Sequence, residues 1–203
     1  NRAMEIFDKK RLVFVSPSKW PDPYEKEFLN AKINKNGQII GLPLTPDYTN
    51  KEFKLFSLCW TATQESEAFW KSYTPNKDGI RISVTRKNLL DLLDRNTSFD
   101  IYIGKVKYYE PHLLRKNKSI LDSIAETIDN PVITHLKLLL RKSNPYKYEN
   151  EYRIFLITKV PNASEITYVQ IDNPVDIFCN YKLNPWIGEY MEKYVKEIFR
   201  KYL

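Results

Sequence analysis

The chain has 203 residues, 42% hydrophobic and 28% charged, with a formal net charge of +7; that is ordinary for a globular protein, enough for one domain with its own core, and shows no composition break that would argue for two. No apolar run approaches the roughly 20 residues that span a bilayer, and the first residues carry no basic-then-apolar leader, which predicts a soluble protein with no membrane partner. Cys59 and Cys179, both in apolar strand-like stretches, read as buried thiols of a reducing compartment, so the expected location is cytoplasmic.

The sequence opens Asn1-Arg2-Ala3 with Met4 already in a helix-like stretch, so a natural N-terminal segment is expected to precede it. Ala3 to Lys9 reads as a short helix, and the run Leu12-Val13-Phe14-Val15 as a strand buried on both faces. Asp22-Pro23 is an N-cap and N1 pair for a helix to about Asn30, and residues 31–50, rich in Gly, Asn and Pro, read as a long loop. Strands follow over Phe53 to Thr61 and Ile80 to Val84, with a helix over Glu65 to Tyr73 between them.

A helix over Arg86 to Asp94 and a strand over Asp100 to Tyr109 come next, then helices over Ser119 to Ile128 and Pro131 to Lys142. Strands over Glu149 to Lys159, Glu165 to Ile171 and Val175 to Tyr181 complete the sheet. At the end Asn184 caps and Pro185 opens a long helix whose pairs Trp186/Ile187, Tyr190/Met191, Tyr194/Val195 and Ile198/Phe199 form one wide buried stripe. The pattern predicts a single α+β domain over 1–203, with a mixed, largely antiparallel central sheet flanked by helices and the long amphipathic C-terminal helix packed on it.

His112 and His135 have no carboxylate or thiol at ligand spacing, Cys59 has no local partner, and five glycines supply no phosphate-cradling loop, so no metal is expected. Carboxylate and aromatic chemistry remains. Glu149, Glu151 and Arg153 lie two apart at the start of a strand and share one face at the edge of the core. They read either as a catalytic carboxylate pair with an anion-binding arginine or as a salt bridge.

Ser57-Leu58-Cys59-Trp60-Thr61 runs from a strand into a helix where Trp70 and Tyr73 share one patch, able to stack a planar ring or to fill a core. Trp20-Pro21-Asp22-Pro23-Tyr24-Glu25 either places Asp22 and Glu25 in a cleft or forms a capping box with an aromatic plug. One shared pocket lets such segments satisfy one another's charges, so Arg153 is expected to touch Asp22, Glu25 or Glu149, with Trp70 or Tyr73 as a wall.

In order, Ser16-Pro17, Asp22-Pro23-Tyr24-Glu25, Ser57-Leu58-Cys59-Trp60-Thr61, Trp70-x-x-Tyr73, Gly79 and Glu149-x-Glu151-x-Arg153 resemble the bacterial family known as domain of unknown function 2971, which implies no reaction. Pro21 departs from the residue, commonly Asn, that the family places before Asp-Pro. The order of elements is more loosely similar to the ADP-ribosyltransferase superfamily. That resemblance implies Glu151 as catalytic carboxylate with Glu149 accessory, Ser57 or Thr61 in the middle motif, Tyr73 stacking nicotinamide and NAD as the substrate. The Arg or His of that superfamily's first strand has no counterpart here.

The leading expectation is therefore an enzyme acting on NAD or another nucleotide-type small molecule at its N-glycosidic bond, in the setting of a bacterial toxin or phage-defence effector. Its rivals are a nucleic-acid-binding protein or metal-dependent nuclease, suggested by the +7 charge, and a non-enzymatic partner-binding domain. The charge is spread out: its densest stretches, Arg115-Lys116-Asn117-Lys118 and one face of the C-terminal helix, carry no interleaved stacking aromatics.

Overall fold

The computed structural model describes residues 2–22, 25, 32–35, 38–41, 53–110, 130–159 and 164–200. The predicted helix over Ser119 to Ile128 lies outside them, as does all but Glu25 of the segment that follows Asp22-Pro23. The fold is α+β with a mostly antiparallel five-stranded sheet. Among the described residues no helix is long and apolar enough to cross a membrane. The chain forms two compact units, Asn1–Val13 with Gln64–Ser98 and Tyr168–Leu203, and Phe14–Thr63 with Phe99–Thr167.

The sheet has the order β10-β1-β4-β9-β6, with β1 at Arg11–Val15, β4 at Lys54–Thr61, β6 at Asp100–Lys105, β9 at Glu151–Thr158 and β10 at Ile166–Gln170. In β1 only Leu12 and Phe14 are fully buried while Val13 and Val15 are half-buried, so the run expected to be covered on both faces alternates instead. Strands β4 and β9 pair antiparallel from Lys54↔Thr158 to Thr61↔Glu151, which puts Leu55, Ser57, Cys59 and Thr61 on one face with Ile157, Phe155, Arg153 and Glu151. On that face the helix α4, Pro131–Leu139, covers a core of Phe53, Leu55, Leu136, Leu139, Phe155 and Ile157.

Three differences in the second unit bear on the site. The helix expected to reach Lys142 stops at Leu139, and Arg141–Ser143 forms β8, parallel to β7 at Lys107–Tyr109. Glu149 belongs to a 3-10 helix, Asn144–Glu149, started by Pro145 and ended by Asn150 in the left-handed region (φ 43), so β9 begins only at Glu151. The expected loop over 31–50 contains a hairpin of β2, Lys32–Lys35, and β3, Gln38–Gly41; the overlooked signal is Asn36-Gly37, a favoured hairpin-turn pair between two short runs.

The first unit holds α1 (Arg2–Lys9), α2 (Glu67–Tyr73), β5 (Ile80–Val84), α3 (Arg86–Asp94), α5 (Pro174–Ile177), β11 (Phe178–Leu183) and α6 (Glu189–Arg200). Antiparallel β5 and β11 form a two-stranded sheet, and Phe7, Phe178, Tyr181 and Phe199 make the aromatic core of the unit, with Tyr181 stacked on Phe199 at 4.6 Å. The C-terminal helix is shorter than its pattern suggests. Asn184 does not cap it but closes a turn, accepting from the Trp186 N–H at 2.8 Å, and the helix starts at Glu189. Val195 and Phe199 are buried, whereas Tyr190 is 85% and Tyr194 54% exposed, so the stripe expected to be wide is narrow.

Candidate functional site

The start of β9 supplies the centre of the site. Arg153 is 1% exposed and every arm of its guanidinium is engaged. Its Nε and Nη2 donate to the two oxygens of Glu151 at 2.8 and 3.0 Å, its Nη2 also donates to Glu25 Oε1 at 2.5 Å, and its Nη1 donates to the Leu139 carbonyl at the end of α4. The guanidinium also lies 4.3 Å from the centroid of the Trp20 ring. Gly104, paired with Arg153 on β6, makes room here: a Cβ there would come within 2.3 Å of Leu140 Cδ1.

Lys142 is the second cation. From β8 its Nζ donates to Glu149 at 2.7 Å and lies 3.4 Å from Glu151 and 3.6 Å from Glu25. Three buried carboxylates thus surround two buried cations. The backbone is pinned around them: Thr61 Oγ1 donates to the Glu149 carbonyl at 2.5 Å, and the Glu151 N–H donates to the Tyr108 hydroxyl at 2.9 Å.

The two carboxylates on Arg153 are driven in opposite directions. Burial pushes Glu25 above the ordinary carboxylate range, and the charges of Arg153 and Lys142 offset this only in part. Burial acts on Glu151 too, but the fork from Arg153, the charges of Arg153 and Lys142 and a hydrogen bond from the Cys59 thiol outweigh it and hold Glu151 below that range. Burial alone would lower Arg153; its bonds to Glu151 and the charges of Glu25 and Glu151 raise it instead.

Cys59 stands on β4 opposite Arg153. The residue is exposed as a whole, but its thiol is hydrogen-bonded to Glu151 and pushed up by the surrounding protein and the Glu151 charge. The expectation of two buried thiols is corrected: Cys59 lies on the part of β4 beyond the core, and Cys179 is exposed on β11. On the same face of β4, Ser57 is 4% exposed and its Oγ has no hydrogen-bond partner among the described residues.

Glu25, Glu149, Glu151, Arg153 and Thr61 thus meet in the second unit. Asp22, half-buried, lies close enough to Tyr146 for its charge to raise that phenol. Trp70 and Tyr73 belong to α2 in the first unit: Trp70 is buried and donates to Glu65 at 3.4 Å, and Tyr73 is 56% exposed and stacked on Phe69 at 4.6 Å. Sequence reasoning missed Lys142 and Tyr108, and set Cys59 aside as a buried thiol. Lys142 was hidden by reading the apolar run 132–140 onward as helix, and Tyr108 acts only through its hydroxyl across a strand pair. Among the described residues no group of three His, Cys, Asp or Glu is placed to hold a metal ion.

Residues 69–154 match the family model described as "Protein of unknown function (DUF2971)". The matched stretch contains most of α2, Lys142, Glu149, Glu151 and Arg153 but not Glu25 or Cys59. No curated protein and no solved structure matches the chain.

Proposed function

We propose that this protein is an enzyme acting at the N-glycosidic bond of a nucleotide-type small molecule, of which NAD is one, with Glu151 as the carboxylate that faces positive charge developing on the sugar. One observation carries the reading: Glu151 is buried and held ionised by Arg153 and Lys142. A carboxylate fixed in charge and place before the reaction stabilises an oxocarbenium-like transition state without reorganising, and low surrounding polarity strengthens the effect.

Arg153 fixes the carboxylate, Lys142 links it to Glu149, and Ser57 Oγ offers a hydroxyl on the same face. The test is chromatography of bases released from NAD and from purine nucleosides and nucleotides. Release by the wild type, unaffected by a chelator and lost in Glu151→Gln, is the expected result. Chelator-sensitive cleavage of DNA or RNA strands with no base release would assign the site to a nuclease instead. A wild type inert on all of them, with Glu151→Gln changing only stability, would leave the cluster a structural hub.

A further inference from the structure

The cluster holds three carboxylates, Glu25, Glu149 and Glu151, against the two cations Lys142 and Arg153, and all five are at most 9% exposed. Three carboxylates brought this close together and this deeply buried favour holding one proton among them. The contacts show where it goes. Glu151 is gripped by both arms of the Arg153 fork and Glu149 by Lys142 at 2.7 Å, but both cation contacts of Glu25 fall on its Oε1. Among the described residues no cation reaches Oε2 of Glu25, which is therefore the oxygen able to carry a proton.

We infer that Glu25 is the proton donor of this site and that its substrate is a nucleoside or nucleotide whose base must be protonated as it leaves; this rests on the glycosidic-bond reading above. Two carboxylates driven apart by their surroundings divide acid work from charge stabilisation, and burial drives Glu25 in the direction this role needs. Among the described residues the groups facing Glu25 are Arg153 and Glu151 on β9, Lys142 on β8 and, at longer range, Cys59 on β4.

The step balances. The bond from the anomeric carbon to the base nitrogen breaks and its electron pair stays with the base, which takes the Glu25 proton. The positive charge left on the sugar faces Glu151. Water then adds to the anomeric carbon and returns its proton to Glu25, so that substrate plus water gives the free sugar and the free base. Nicotinamide leaves a pyridinium ribose already neutral and needs no donor. A purine leaves as an anion unless protonated, so a site that stores a proton on Glu25 suits the second class.

Two measurements test this. In a carbon-13 titration of labelled glutamates in the whole protein, assigned through Glu25→Gln, the Glu25 carboxyl should titrate above the ordinary carboxylate range. In kinetics, Glu25→Gln should lose roughly 100-fold on purine nucleosides but at least ten-fold less on 4-nitrophenyl riboside, whose leaving group needs no proton. A Glu25 carboxyl that titrates at or below the ordinary range, or equal losses on both substrates, overturns the inference while the glycosidic reading stands. Cleavage indifferent to Glu151→Gln is a separate result, which overturns the glycosidic reading and the donor role with it.

Discussion

Glu25 and Arg153, 128 positions apart in the chain, are joined by a hydrogen bond of 2.5 Å in a site where both are buried. The same guanidinium nitrogen reaches Glu151, so one cation organises two carboxylates with opposite proton preferences. Removing it leaves both charges buried without their partner. Arg153→Ala should therefore cost about 3–5 kcal/mol, read from urea unfolding at neutral pH. A cost below about 1 kcal/mol would show the cluster to be far wetter than its geometry indicates.

Stability should depend on pH through Glu151 with a definite sign. Its carboxyl is held below the ordinary range in the fold, so its contribution is present above the unfolded value and is lost as pH falls through the lowered folded value. Glu151→Gln should lower the neutral region of a stability profile and so flatten its acid limb, the two proteins converging at low pH. An acid limb identical to the wild type's would mean that Glu151 gains nothing from Arg153.

Among the described residues three helices have side-chain caps. Ser66 accepts from the Phe69 N–H at 3.3 Å, Thr85 from Asn88 at 3.1 Å and Asn130 from Ile133 at 3.1 Å. Replacing any one by Ala should lower stability by about 1 kcal/mol, measured by thermal or chemical unfolding. Values near zero would show that water replaces the cap.

The C-terminal helix yields a contrast within one element. Phe199, 1% exposed and stacked on Tyr181, should cost about 4 kcal/mol as Phe199→Ala. Tyr194, 54% exposed, should cost no more than about 0.5 kcal/mol as Tyr194→Ala. Comparable losses at both positions would contradict the narrow buried face.

The fold class was legible because β4, β9 and α3 carry their periods and caps locally: the sequence places α3 at Arg86 to Asp94, and the structure has it there. The link from Arg153 to a distant carboxylate was legible too, since a charge at the edge of a core needs a partner. What was not legible depended on tertiary context. Lys142 looks like the end of an apolar helix until the chain bends at Leu140 to lay β8 against β7. The aromatics of α6 fit the helical period, but the period does not say how much of the stripe the core covers, and Tyr190 and Tyr194 fall beyond it. Cys59 sits in an apolar run, yet its strand outlasts the core that buries its first four residues.

The central claim, that Glu151 is the working carboxylate of a glycosidic-bond enzyme, is tested most directly by comparing base release by the wild type and Glu151→Gln at equal concentration, with circular dichroism confirming that both are folded. The account predicts release from a nucleotide-type substrate by the wild type and a loss of about 100-fold or more in the variant. Equal release by two equally folded proteins would contradict it.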